Sequence, residues 1–478
     1  MSGRQLLVGP FNRVEGDLEV RLDIADGVVR SAQVNSPLFR GFEMMMQGKD
    51  PRDALTVTPR ICGICSISQS TAAALALADV SGASMPPQGA LAAALLHGVE
   101  NLCDHISHFA LFFMPDFARP VYAGRAWHDR AVARFTAQQG SAARSLLDAR
   151  AQLFHIVGLL GGKWPHTLAI QPGGVTRAPD ARDRIRIQTT LRAARRVLEA
   201  ELFGGASLED FTKLESIAGL EAWDAGDVGL FNTISADLGL GALGAGPKRY
   251  LSCGAYPLAG GRMTRAGVWE AGAVTAFDPD AIVEDVSHAW MLGAAAHPAQ
   301  GVTLPDEEMS APGYSWCKAP RLAGRTVEVG ALARQAVDGH SLAVALAAEG
   351  GVRARIGGRL LEIARTVLWL QDWAAALDPS ERFMADPIPE PRAGSGVGLV
   401  EAARGTLGHW LRVEAGRVAG YQIVAPTTWN FSPRDAAGVP GPVEAALVGT
   451  PVGAEERTPV AVQHVVRSFD PCMVCTVH

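Results

Sequence analysis

Cysteine is scarce in this chain, with seven in 478 residues. They stand at 62, 65, 103, 253, 317, 472 and 475. A disulfide-stapled secreted fold is short and cysteine-dense, so this usage excludes one and points to a reducing compartment, the cytoplasm. Positive charge is not in excess either: the formal net charge is −6, which offers no hold on nucleic acid or an anionic membrane surface. No charged-then-apolar leader is visible, because "MSGRQLLVGPFNRVEGDLEV" turns polar within a few residues; no secretory signal is expected. Long uninterrupted apolar runs are missing as well. The best candidate, residues 91–114, carries His97, Glu100, Asp104, His105 and His108, groups that a buried helix tolerates and a bilayer span does not. No internal repeat and no low-complexity run appears beyond a bias to alanine.

The chain does have ample apolar material, 48% of residues, enough for a large core in one to three domains. "DLEVRLDIADGVVRSAQVN" alternates apolar and polar residues on both sides of Asp26 and Gly27, a β-hairpin signal, and "HWLRVEAGRVAGYQIVAP" repeats the pattern around Ala415 and Gly416. Between them the apolar rhythm is helical. Leu91, Leu95, Leu102, Ile106 and Phe109 follow it, as do Leu146, Ala149, Leu153 and Val157, and as do residues 182–203 and 352–377. Residues 245–330 are richer in Gly and Pro and read as irregular structure with short strands. These patterns predict an α+β fold, a mainly helical core bundle with peripheral β-hairpins.

Four of the seven cysteines form two CxxC pairs, "CGIC" at 62–65 and "CMVC" at 472–475. Each pair can give two sulfurs to one metal ion, and together they complete a Cys₄ shell. Structural zinc is the default reading of such a set. A thioredoxin-like redox pair fits less well, since neither motif sits in a βαβ pattern. Zinc-ribbon pairs lie tens of residues apart and staple small modules. Here the pairs are separated by nearly the whole of a chain that needs no staple, which favours a buried catalytic metal. A shared metal also requires both ends to meet in one body, so residues 1–478 are expected to form a single domain.

The residues around the two pairs carry a specific resemblance. "RICGIC" at 60–65 and "DPCMVCTVH" at 470–478 closely resemble the two signatures of nickel–iron hydrogenase large subunits. "RVEGDLEV", "FRGFE", "EAARGTLGHW" and "YQIVAPTTWN" resemble four further motifs of that family, in family order, so the resemblance runs from residue 13 to residue 478. It implies that Cys62, Cys65, Cys472 and Cys475 bind nickel, with Cys65 and Cys475 bridging to an iron that carries cyanide and carbon monoxide. It implies heterolytic cleavage of dihydrogen, with the proton passing to the sulfur of Cys472 and on to Glu15 as the first relay carboxylate. Arg404 would stand over the open metal position, with Asp104 as its carboxylate partner. Asp470, Pro426 and Thr427 would line the cyanide side. Glu43, the carbonyl of Ile423 and the terminal His478 would hold a magnesium or similar ion. Many relatives are made with a tail beyond that histidine. This sequence shows none, as expected of a mature product or of a member that never carries one.

Three departures from the catalytic relatives resemble the hydrogen-sensing, regulatory branch. Gln69 stands where a histidine is usual, Ile64 where a smaller valine is common, and Phe112 where a leucine is typical. The last two positions line the gas path in the family, and added bulk there throttles oxygen more than dihydrogen. The expected role is an oxygen-tolerant sensor of low turnover; the alternative is an uptake enzyme feeding an electron-transport chain. No further cysteine cluster has iron–sulfur spacing, so the Fe–S clusters are expected only in a partner small subunit. That subunit would form an obligate heterodimer docked near His166 and the first CxxC, the heterodimers would pair, and a sensor histidine kinase would receive the signal.

Overall fold

The computed structural model describes residues 3–387 and 390–476. Near its start, β1 (Arg4–Val8), β2 (Glu19–Ala25) and β3 (Val28–Asn35) form an antiparallel sheet in that order. Asp26 and Gly27 close the β2–β3 hairpin with φ of 55° and 72°, the left-handed pair that a two-residue turn requires. Val20, Leu22 and Ile24 are buried while Arg21 and Asp23 are exposed, so the sheet lays one face on the core.

The body of the protein is helical. The long helices are α1 (Ser66–Ser81), α2 (Pro87–Ser107), α3 (Ser141–Gly161), α4 (Ala181–Glu201) and α5 (Gly351–Ala376). α2 packs against both α3 and α5, and α4 closes against the same two. α2 opens on Pro87 at its first position, where the missing N–H costs nothing. It is buried almost without break from Ala92 to Ser107, His97, Glu100, Asn101, Asp104 and His105 included. That burial explains why a helix so apolar carries polar groups at all: each meets a partner inside the bundle. Beyond Ser107 the helix widens into a π-turn, His108–Phe113, a deformation common next to functional sites. α4 shows the opposite pattern. A capping box of Asp180 and Asp183 starts it, and its apolar burial is limited to Ile187, Leu191, Ala194 and Leu198, with the arginines outward.

The second predicted hairpin gains a strand that the apolar pattern did not reveal. β4 (Gly394–Ala402), β5 (Gly405–Glu414) and β6 (Arg417–Val424) form an antiparallel sheet, order β4–β5–β6. β4 lies directly under α1. A side chain at Gly398 would place its Cβ 1.9 Å from the Ala72 carbonyl, so glycine here lets helix and strand approach as they do. The signal was hidden because alternating glycines carry no hydrophobic period. Residues 249–322 hold the short strands expected of them, Arg249–Cys253, Ala266–Glu270, Ile282–Asp285 and Ala319–Leu322 among them.

This arrangement decides where the chemistry falls. α1 begins at the residue after Cys65; the β4–β5 turn carries Arg404; β6 runs out to Ile423 and Pro426; and α6 (Val460–Ser468) delivers the chain to Asp470 and Cys472. Among the described residues no helix is long and apolar enough to cross a membrane. Cys103, Cys253 and Cys317 are buried and free, outside the four-thiol group.

Candidate metal centre

The four sulfurs of Cys62, Cys65, Cys472 and Cys475 lie within 4.8 Å of one another, all buried. Cys472 Sγ is 3.4 Å from Cys62 Sγ and 2.9 Å from Cys475 Sγ, and Cys65 Sγ is 3.5 Å from Cys475 Sγ. A disulfide would be roughly 2.05 Å, whereas thiolates tetrahedral about one metal at ~2.3 Å stand roughly 3.8 Å apart. Without a metal the cluster cannot ionise together. Hydrogen bonds from the neighbouring thiols hold Cys62 well below the ordinary thiol range, while burial and the adjacent sulfurs push Cys472 well above it. A bound cation removes that conflict, since coordination deprotonates thiols outright. The donor set therefore fits one soft metal ion.

Backbone pairing brings the two ends of the chain to this point. Glu15 bridges Cys472 in parallel: its N–H donates to Pro471 O at 3.3 Å, and its own carbonyl accepts from Met473 N at 2.7 Å. Gly16, at φ 79°, makes the approach possible, since a Cβ there would lie 2.9 Å from Val474 Cγ1. Arg40 ties both thiol segments at once, its guanidinium donating to the carbonyls of Arg60, Ile61 and Val474. Cys472 N donates to Thr427 Oγ1 at 3.1 Å, and Ser36 Oγ meets Thr476 Oγ1 at 2.9 Å. Pro426 opens the short buried helix that presents Thr427.

Four charged groups gather beside the sulfurs. The Glu15 carboxyl is half-buried; burial and the negative sulfur of Cys62 raise its proton affinity, opposed by Arg404 and Arg40. Arg404 is buried, with Nη1 at 2.8 Å from Asp104 Oδ2, Nη2 at 3.1 Å from Asp470 Oδ1, and Nε donating to the Asp470 carbonyl at 2.9 Å. Burial pushes Asp104 up to about 7 against the pull of Arg404 and with the push of Asp470. Asp470 is held low despite its burial, by Arg404 above all. An unpaired guanidinium here would be costly, and the two aspartates remove that cost.

A second polar cluster surrounds Glu43. Its carboxylate accepts from Ile423 N at 2.8 Å, from Lys318 Nζ at 3.0 Å and from the Thr303 hydroxyl. Lys318 also reaches Gln422 Oε1 at 2.7 Å and Glu284 Oε2 at 3.4 Å. Two carboxylates share one ammonium, and Glu284 Oε1 is buried without a hydrogen-bond partner among the described residues; an oxygen-lined, net-negative pocket of this kind fits a hard cation. His478, expected to complete such a site, lies outside the described residues.

Of the remaining predicted positions, Gln69 is buried, its Oε1 2.7 Å from His409 Nε2, whose Nδ1 is 2.7 Å from Tyr421 OH. Ile64 is half-buried between the two ligand positions. Phe112, also half-buried, sits on the π-turn, and its carbonyl accepts from Arg13 Nη1 at 3.2 Å. His166 lies beside the first thiol pair, with Nδ1 3.0 Å from Pro59 O. Sequence reasoning missed Arg40, Lys318, Glu284 and Glu100. Arg40 lies inside the quoted "FRGFE" and was legible there. Glu100 accepts from the N–H groups of Ile67 and Ser68 at 2.8 and 2.9 Å, anchoring the first turn of α1; it showed only as a charge in an apolar run. Lys318 and Glu284 gave no signal, because only the tertiary fold brings them together.

A thiolate centre assembled from both chain ends, faced by a carboxylate and an ion-paired guanidinium, defines a metalloprotein whose metal serves chemistry. A family model described as nickel-dependent hydrogenase matches residues 40–145 and 142–478, and the chain belongs to that family as a hydrogenase large subunit. It is 31% identical to the periplasmic NiFeSe hydrogenase large subunit of Desulfomicrobium baculatum, over 99% of this chain and 95% of that one. An uptake hydrogenase large subunit of Afipia carboxidovorans is 26% identical over 100% and 95%. The solved NiFeSe hydrogenase from D. vulgaris Hildenborough superposes with a TM-score of 0.85 at 28% identity, covering 100% of both chains. The present chain supplies sulfur at all four ligand positions.

Proposed function

We propose that this subunit binds and heterolytically cleaves dihydrogen at a nickel–iron centre and works as an oxygen-tolerant hydrogen sensor of low turnover. The observation that carries the cleavage reading is the meeting of Glu15, Arg404 and four buried sulfurs from opposite chain ends. When bound, the nickel–iron centre, with cyanide and carbon monoxide on its iron, supplies the polarisation that splits dihydrogen. Cys62, Cys65, Cys472 and Cys475 hold it. The sulfur of Cys472 takes the released proton, and the Glu15 carboxyl, hydrogen-bonded through its backbone to both neighbours of Cys472, receives it next. Arg404, fixed by Asp104 and Asp470, keeps a positive charge at the open position, with Pro426 and Thr427 beside it. Glu43 and the Ile423 carbonyl would hold magnesium or a similar ion.

Arg404→Lys is expected to lower hydrogen–deuterium exchange about 10²-fold with nickel content unchanged, because a point charge cannot reproduce the fork between two aspartates. Exchange within a factor of a few of the parent would remove Arg404 from the reaction.

The sensing role rests on Gln69, Ile64 and Phe112. Gln69 meets the second ring nitrogen of His409, Nε2, and the two bulky groups lie at the first thiol turn and beside the segment before Glu15. Replacing Ile64 with Val and Phe112 with Leu together is expected to make hydrogen oxidation fail in air while leaving it intact under argon; unchanged tolerance would refute the bulk argument. The uptake reading is favoured by the relatives named uptake hydrogenases. Turnover separates the two, a sensor oxidising dihydrogen slowly.

Among the described residues the four-thiol set is the metal-competent cysteine group, so electrons leave through an Fe–S small subunit in an obligate heterodimer. We place its docking face at His166, with exposed Leu168 beside it. In the sensing reading the heterodimers pair and address a sensor histidine kinase. The free thiols favour the cytoplasm, and the convergence of both chain ends favours one folding unit.

A further inference from the structure

Behind Arg404 a line of buried groups runs through the helical bundle with alternating charge. Asp470 accepts from Arg404 through Oδ1 and, on its other oxygen, from Arg359 Nη1 at 3.1 Å. The same Arg359 nitrogen lies 2.7 Å from His105 Nδ1. His105 Nε2 is 3.0 Å from Glu362 Oε1. Glu362 is itself gripped by Arg334, Nη2 to Oε1 at 2.6 Å, and by Gln335 Nε2 at 2.9 Å. Every ionisable member from Glu362 to Arg404 is 4% exposed or less.

The partners settle the state of the imidazole. Guanidinium nitrogens only donate, so Nδ1 must accept from Arg359 and carries no proton. The ring proton then sits on Nε2, facing the carboxylate. Burial drives the pKa of His105 down to about 4, and the Glu362 bond does not offset it. In this state His105 accepts from Arg359 and donates to Glu362.

We propose that His105 is a positioning residue for dihydrogen cleavage: as a neutral Nε2–H imidazole between Glu362 and Arg359, it restrains the arm that clamps Asp470 and so fixes Arg404 at the metal centre. The physical reason lies in guanidinium geometry. An arginine beside a carboxylate gains most from two parallel bonds. Released from His105, Arg359 would take both oxygens of Asp470 and draw that carboxylate off Arg404. The imidazole accepts from the same nitrogen, Nη1, that donates to Asp470, and so anchors the guanidinium in the pose in which it meets only Oδ2, leaving Oδ1 for Arg404. Asp470 also stands at φ 58° two residues before Cys472, so its side chain has few ways to adjust. The inference rests on the reading of Arg404 given above.

The test uses the matured heterodimer and compares His105→Leu with His105→Asn, whose Oδ1 replaces the Nδ1 acceptor. Leucine is expected to lower kcat for hydrogen oxidation about 10- to 100-fold with KM near the parent value, and to shift the infrared bands of iron-bound cyanide. Asparagine should recover most of the rate and return the bands. Unshifted bands with near-parent kcat in the leucine variant, or asparagine no better than leucine, would overturn the proposal. Should neither variant assemble, ¹⁵N-histidine spectra of the parent decide it: an unprotonated Nδ1 and protonated Nε2 at neutral pH support it, and the opposite tautomer or an imidazolium overturns it. Cyanide bands missing from the parent would instead defeat the hydrogenase reading, a failure visible before any substitution.

Discussion

Cys472→Ala is expected to yield a folded chain that retains less than about a tenth of the parent's nickel, because loss of one ligand exceeds the 10- to 100-fold cost of losing even an outer partner. The sulfur it removes is the one closest to two others, 3.4 Å from Cys62 and 2.9 Å from Cys475. Alanine leaves only a one-atom void, costing on the order of 1 kcal/mol in so large a core. Thermal melting and metal analysis of the same sample separate two kinds of metal. If the centre were structural zinc, its loss would carry folding energy away with it, as it does in zinc fingers. If the metal is there for chemistry, the melting temperature should stay within a few degrees, at about 2–4 °C per kcal/mol for larger domains. Retained nickel, or collapse of the fold, would contradict the assignment.

Glu15→Gln should be the most severe change that leaves the metal in place. Glutamine is isosteric and its backbone still pairs with Pro471 and Met473, so the bridge that closes the chain on itself survives. What disappears is the capacity to take a proton. Removing a positioned acid–base group costs about 10²- to 10⁴-fold, so hydrogen–deuterium exchange should fall by that factor while nickel content and infrared bands match the parent. The raised proton affinity of this carboxyl, set by burial and by Cys62, is what suits it to accept from a sulfur. Exchange within threefold of the parent would mean that protons leave by another group.

Much of the fold could be read from apolar spacing. The boundaries of α4 and α5 fall within two residues of the helical rhythm at 182–203 and 352–377, and both hairpins lie where Asp26-Gly27 and Ala415-Gly416 predict them. β4 could not be read, since its glycines are chosen for closeness to α1. The candidate site divides in the same way. Residues that lie next to one another in a motif, such as Cys62 with Cys65 and Asp470 with Cys472, were legible because local spacing carries the chemistry. Asp104 could be placed only by its spacing from Cys62, and only the tertiary fold shows it at Arg404. His105, Arg359 and Glu362 were silent, since an imidazole on an apolar helix looks the same whether it packs or positions. Lys318 was silent because its two carboxylates come from elements far apart in sequence, Glu43 from a short helix and Glu284 from a strand.

The two thiol pairs are 410 residues apart along the chain, and that distance is also a duration. At roughly 5–20 residues per second of synthesis, Cys62 and Cys65 wait some tens of seconds on the ribosome before their counterparts exist. Throughout that wait they are a bare chelating dithiol, open to the wrong ion and to oxidants. The first pair is therefore translated well before a four-sulfur site can close, and the order in which the ligands become available is set by translation.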